Sequence, residues 1–292
     1  MSLFPGQMKV SAKEPVRAVR RVERSLSQLR RDSAAQYVHH FRTSVRRLEA
    51  VRELAAGERV SPKLEKALRA VWRRTAKVRD CDVNLALLRE LHLGPELPAQ
   101  RGLQRWFEQR RERSQRKLER ELESGAGLEL AKRLQRLRQD WQAAPPQLPL
   151  SPAAEALRRY HQAAPPSALE PESLHAARKL AKQLRYMAEL EHPGAKSGEA
   201  ELARTVEAAL RRLQTALGAW HDWAELGDLA AAWQGGAPAP LLAALRNLTG
   251  AKLQLALRER AAVDEELARC WRLLRRPPSS VSRAAPRRAA SA

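Results

Sequence analysis

One pattern occurs twice in this chain, 136 residues apart: His-x-x-Arg-x-x-x-(Arg/Lys), each time on a stretch with the apolar spacing of an amphipathic helix. The first copy is His39, Arg42 and Arg46, with Arg47 beside it; the second is His175, Arg178 and Lys182, with Arg185 one turn on. At about 100° per residue, offsets of 0, 3 and 7 fall within roughly 60° of arc, so each copy is a cationic stripe on one helix face. The apolar positions repeat as well. Val38, Phe41, Val45, Leu48, Val51 and Leu54 meet Leu174, Ala177, Ala181, Leu184, Met187 and Leu190, and Glu53 meets Glu189. A helix with one wall for a core and another for a ligand, written twice, restricts the fold to a duplicated helical arrangement with a duplicated polyanion site.

The rest of the sequence agrees. The 292 residues are 43% hydrophobic but only 4% aromatic, enough for one sizeable core or two small ones. Long Ala/Leu/Arg/Glu stretches with only 13 Gly predict helices almost throughout, and no segment shows strand-like alternation of β-branched residues. The 54 Lys and Arg against 33 Asp and Glu give a formal charge of +21, which implies an acidic partner such as nucleic acid, anionic lipid or a phosphate polymer. Arginine outnumbers lysine 43 to 11, and arginine is the better bidentate phosphate ligand. Cys81 and Cys270 stand far apart without metal-ligand spacing, so neither a disulfide framework nor a zinc site is indicated. The opening MSLFPGQMKV lacks signal-peptide character and no apolar run approaches a membrane span, which predicts a cytoplasmic protein.

Breaks at Gly57, Gly94-Pro95, Pro98, Pro165-Pro166, Pro193-Gly194 and Gly235-Gly236 separate predicted helices at about 12–31, 34–56, 62–91, 99–123, 128–142, 153–163, 171–192, 199–233 and 239–275. Ser61-Pro62 supplies a capping hydroxyl and a first-turn proline. The proline-rich stretch 143–152 divides the chain into repeats of about four helices, 12–142 and 152–275, and the Pro/Ser/Ala/Arg tail 277–292 reads as disordered.

The long helix after each histidine stripe adds further polar groups. Lys66, Arg69, Arg73, Lys77 and Asp80 lie within roughly 80° of one another, with Asn84 in line. At an offset of 142, Arg69 corresponds to Arg211 and Arg79-Asp80 to His221-Asp222, while Arg73 and Lys77 become Thr215 and Ala219; Arg204 and Arg212 lie nearby. His39 and His175 read as phosphate hydrogen-bond donors, or alternatively as histidines packed between helices. Asp80 and Asp222 read as groups that orient neighbouring arginines. Trp72, Trp106, Trp141, Trp220 and Trp223 read as packing residues.

Four segments in order, VHHFRTSVRRLEAVREL from Val38, KVRDCDVNLALL from Lys77, LHAARKLAKQLRYMAEL from Leu174 and LQTALGAWHDWAEL from Leu213, resemble the CHAD family, the conserved histidine α-helical domain. The resemblance covers about residues 12–275 and departs from the family at Glu49, where a basic residue is usual, and in the cation-poor second long helix. It implies an all-α fold of two four-helix bundles related by pseudo-twofold symmetry, with the histidine-stripe helices lining a basic central groove. It also implies binding of inorganic polyphosphate and location at polyphosphate granules. A phosphate polymer has charge on nearly every unit and no bases, so its binder needs closely spaced cations rather than base-reading groups.

Two other readings stay open. Charge alone suits a nucleic-acid binder, although no helix-turn-helix, zinc finger or aromatic RNA platform stands out, and weak nonspecific binding is expected in low salt. His221-Asp222, with His192 earlier, would suit a metal-dependent phosphohydrolase, but its counterpart Arg79-Asp80 has no histidine. No Gly-rich phosphate loop is present. The expectation is a non-enzymatic binder with no cofactor.

Overall fold

The computed structural model describes residues 13–55, 61–91, 97–149, 151–163, 171–190 and 197–275. The helices are α1 Lys13–Arg31, α2 Ala35–Leu54, α3 Pro62–Glu90, α4 Leu97–Glu123, α5 Gly125–Ala143, α6 Pro152–Ala163, α7 Pro171–Ala188, α8 Ser197–Ala231 and α9 Ala239–Leu274. No strand occurs among the described residues, so the fold class is all-α. Nor is any described helix long and apolar enough to cross a membrane.

Local chemistry sets the ends. Ser61 caps α3, its Oγ accepting from the Leu64 N–H at 3.2 Å, with Pro62 in the first turn. Asp32 Oδ1 accepts from the Ala34 N–H at 2.8 Å at the entrance to α2. The α7 helix stops at Ala188 rather than near 192, because the Leu190 N–H bonds the Met187 carbonyl and closes the last turn tightly. The breaks at Gly57, Gly94-Pro95, Pro165-Pro166 and Pro193-Gly194, and the tail from 277, lie outside the described residues.

The first half contributes five described helices and the second half four, as in the nine segments the sequence separates. The additional helix of the first half arises at Ser124, which interrupts the chain between α4 and α5. A Cβ on Gly127 would lie 2.3 Å from the Leu122 carbonyl oxygen, so the start of α5 rests directly on the end of α4, where only glycine fits. In the second half the 36-residue α9 runs unbroken along α8.

Helices adjacent in sequence pack together, α1 on α2, α2 on α3 and α3 on α4, with α5 closing against α1, α3 and α4; α6 through α9 follow the same plan. The repeated apolar residues behave as their spacing demands: Val38, Phe41 and Val45, and likewise Leu174, Ala181 and Leu184, are buried. Truncating a core phenylalanine such as Phe41 to alanine costs about 3–5 kcal/mol. The main core is continuous, running from Val19, Phe41 and Val71 into Leu184, Leu210 and Leu217 of the second half. A smaller cluster joins Leu88 and Phe107 to Trp223, Leu226 and Leu241, where the end of α3 and the start of α4 meet the end of α8 and the start of α9. The two halves are thus bridged twice.

The first bridge is α2 against α7. Arg47 Nε donates to Glu189 at 3.1 Å, and Gln183 Nε2 donates to Glu53. At the 136-residue offset Arg47 falls on Gln183 and Glu53 on Glu189. The same contact is therefore made in both directions, as it would be across a local twofold between α2 and α7.

Candidate functional site

The groove beside the α2–α7 crossing is built from the two histidine stripes. Arg42 and Arg46 come from the half-buried flank of α2 beside its buried Val38 and Ala50, and Arg178 and Lys182 come from α7. A cavity of about 410 Å³ is lined by Arg46 and Glu49 of α2 and by Arg178, Lys179, Lys182 and Tyr186 of α7.

The electrostatics show how closely these cations sit. The Lys182 ammonium is pushed down to about 8, first by loss of solvent and then by repulsion from Arg46, Arg178 and Arg42, with Asp222 acting the other way. Arg42 is pushed down to about 10, chiefly by burial, with Asp80 opposing and Arg46 and Arg79 contributing, and it stays charged at neutral pH. Cations from both halves therefore share one field.

Trp72 of α3 lies under the first-half pair. The Arg42 guanidinium carbon is 4.0 Å from the ring centroid and that of Arg46 is 4.6 Å away. Arg42 Nη1 also donates to the Trp72 carbonyl and to Thr75 Oγ1, each at 3.3 Å. Arg46 in addition pairs with Glu49 at 3.2 Å. The Nε atoms of Arg46 and Arg178 are buried and have no hydrogen-bond partner.

His39 lies on the exposed side of α2, and His175 and His221 are half-buried with ring centroids 5.1 Å apart. Burial and neighbouring cations lower all three: Arg79 first among the charges at His39, Lys179 at His175 and Arg178 at His221, which falls to about 4. With their pKa values lowered in this way, the imidazoles carry one N–H donor each rather than a charge at neutral pH.

The carboxylates act within the cation cluster. Asp222 accepts from Arg178 Nη2 at 3.4 Å. Asp80 makes no such short contact but lies in the field of Arg42, Arg110, Arg79 and Arg178. Loss of solvent raises Asp80, Asp222 and Glu225. Among the described residues no three His, Cys, Asp or Glu side chains converge as metal ligands; His192 lies outside the described residues.

Other stripe residues are placed elsewhere. Arg185 is 9% exposed and turned inward, its Nε on Gln214 at 2.7 Å and its Nη1 on Glu189. Arg47, bonded to Glu189, lines a separate cavity of about 680 Å³ with Arg204 and Arg211, and Arg211 bonds Glu207 there. Arg212 is tied to Glu259 and Glu266 of α9. Lys66, Arg69, Arg73 and Lys77 are exposed along α3.

Two cations and one ring were missed by the stripe reading. Arg79 is one residue, about 100°, off the Asp80 line, yet it is the α3 cation that influences His39, Arg42, Asp80 and Asp222. Arg110 reaches Asp80 and Glu225 from α4, a helix outside the four motifs, and stacks 5.2 Å from Trp106. Only its place in an arginine-rich helix could have pointed to it. Trp141, Trp220 and Trp223 are buried as packing residues, whereas Trp72 and Trp106 each carry an arginine over the ring.

The sequence model of the CHAD domain matches residues 17–231, from within α1 to the end of α8. The chain therefore belongs to the CHAD domain family. The matched span stops before α9, short of residue 275. A comparison with curated proteins gives no match.

Proposed function

We propose that the groove beside the α2–α7 crossing binds inorganic polyphosphate, and that the protein is a non-enzymatic binding module rather than a catalyst. The observation that carries this reading is that Arg46 from the first half and Arg178 and Lys182 from the second line one cavity, with Arg42 beside Arg46 on the Trp72 ring and Lys182 losing proton affinity first to burial and then to these cations. Like charges held together this way raise the free energy of the empty groove, and a bound polyanion relieves that cost. Each charge-assisted hydrogen bond contributes on the order of 1.5–3 kcal/mol before ordering costs.

His39, His175 and Arg79 extend the donor set. Lys66, Arg69, Arg73 and Lys77 offer a track along α3 for the rest of a long polymer, with Asp222 holding Arg178 in place and Asp80 opposing the charge of Arg42 and Arg79. Arg47, Arg204 and Arg211 form a separate basic cavity, and Arg185 and Arg212 serve mainly as internal ties. The two repeats, 12–142 and 152–275, are read as bundles related by a pseudo-twofold through the α2–α7 crossing, and location at polyphosphate granules follows from the ligand. Duplex DNA and RNA are expected to bind only weakly and without sequence preference.

Competition calorimetry at physiological ionic strength, comparing long-chain polyphosphate with DNA, RNA and heparin, tests the reading. Submicromolar polyphosphate binding that outcompetes the others and collapses in Arg42→Ala/Arg178→Ala supports it. Equal, weak binding of every polyanion, unchanged in the variant, refutes it.

A further inference from the structure

Two arginines one helical turn apart repel each other, and each has a long side chain with several accessible rotamers. In a ligand-free protein such a pair is expected to splay into solvent. Here both guanidiniums converge on a single indole, Arg42 at 4.0 Å and Arg46 at 4.6 Å from the Trp72 ring centroid. We infer that Trp72 is a positioning residue that pre-orders Arg42 and Arg46 into a ready-made phosphate clamp before any ligand arrives. The inference rests on the polyphosphate reading for the identity of the ligand, but not for the ordering itself.

The geometry supports this from three directions. An indole presents the most negative ring face among the natural side chains, so it attracts a cation without neutralising it. A carboxylate in the same place would also hold the arginines, but it would compete with the phosphate for their N–H groups and repel it. The Trp72 ring takes none of those N–H groups, so the donors of Arg42 and Arg46 that are not bonded to Thr75, the Trp72 carbonyl or Glu49 stay open to a ligand.

The platform is itself fixed. Trp72 packs against the main core, and its turn of α3 is pinned where the buried Thr75 donates to the Trp72 carbonyl at 2.9 Å. That carbonyl and the Thr75 hydroxyl both accept from Arg42 Nη1, so one edge of Arg42 is anchored to α3. In the second half, Gln214 occupies the position equivalent to Trp72. It draws Arg185 inward with a bond of 2.7 Å instead of supporting groove cations. The pre-ordered clamp therefore belongs to the first half alone.

Pre-ordering and charge leave different signatures. Removing a cation that touches phosphate weakens binding and lowers the slope of log affinity against log salt by about one, because one fewer counterion is released. Removing the platform leaves the number of phosphate contacts unchanged but makes the arginines be ordered at the moment of binding. The test uses short-chain inorganic polyphosphate on wild type, Trp72→Leu, Trp72→Phe and Arg46→Gln, with Trp141→Phe as a control for loss of core packing, since Trp141 is buried on α5. Expected results are a roughly tenfold weaker Kd for Trp72→Leu with the salt slope unchanged, an intermediate Kd for Trp72→Phe, and a slope lower by about one for Arg46→Gln. Trp141→Phe should lose thermal stability but no affinity in its folded state.

Side-chain NMR relaxation of the Arg42 and Arg46 Nε–H groups, without ligand, should show both more mobile in Trp72→Leu than in wild type. Unchanged arginine order in that variant overturns the inference, as does equal affinity across the three Trp72 sequences or a slope falling by one in Trp72→Leu. If wild-type protein binds no polyphosphate while the arginine order still depends on Trp72, the ligand assignment fails and the positioning role stands.

Discussion

The first half of the molecule stacks Arg42 and Arg46 on Trp72, whereas in the second half Arg178 leans on Asp222 and Lys182, among the described residues, stacks on no ring. The two pairs are the same positions of one repeat, separated by 136 residues. In the first, an aromatic face lies against both cations while Glu49 takes one donor of Arg46 and the Trp72 carbonyl and Thr75 take one of Arg42. In the second, no aromatic ring stacks on Arg178 or Lys182 among the described residues, Asp222 takes a donor of Arg178 and desolvation weakens the lysine's charge. A duplicated helix thus repeats its backbone plan without repeating its electrostatics, and the residues that decide the difference, Trp72 against Gln214, lie on the neighbouring helices α3 and α8.

The largest consequence concerns affinity. Arg42→Ala/Arg46→Ala is expected to weaken polyphosphate binding roughly hundredfold and Arg178→Ala/Lys182→Ala roughly tenfold, measured by calorimetry in one buffer. Equal losses would erase the asymmetry.

The comparison extends to Glu49 and Arg185, which are equivalent by the repeat yet opposite in charge. Arg185→Ala strips the half-buried Glu189 and Glu207 of a partner and should lower unfolding free energy by about 2 kcal/mol, less than for a fully buried pair because water partly screens them. Denaturant titration reads this loss, and polyphosphate affinity should stay within about twofold of wild type.

Next comes pH. A bound polyanion favours charged Lys182, so its pKa in the complex lies above the value of about 8 in the free protein, and binding takes up a proton around and above that pH. Affinity is therefore highest below about pH 8 and should fall by about fivefold on going to pH 9. Lys182→Arg should flatten the profile, since arginine keeps its charge across this range.

The smallest effect is expected from Glu49→Gln. Removing a carboxylate that pairs with Arg46 at the cavity wall should tighten binding about threefold, visible in competition titrations.

Much of this organisation was legible in the residues. The 136-residue offset identified the two repeated helices, the CHAD resemblance implied that they line one groove, and the contacts Arg47–Glu189 and Gln183–Glu53 obey the offset. What helix phase could not show was coverage. Arg185 shares a face with Arg178 and Lys182, but Gln214 and Glu207 of α8 reach over that end of α7 and take its guanidinium inside. Nor could phase locate charges contributed by other helices: Arg110 enters the field of Asp80 from α4 through tertiary packing alone. The split of Arg204 and Arg211 from the groove has the same origin, because α8 presents them beside α1 and not toward Lys182.

The most direct test of the groove as the polyphosphate site is a crystal structure with a short inorganic polyphosphate. Phosphate density in contact with Arg42, Arg46, Arg178 and Lys182 is the predicted result. Density only in the cavity of Arg47, Arg204 and Arg211, with the α2–α7 groove empty, would contradict it.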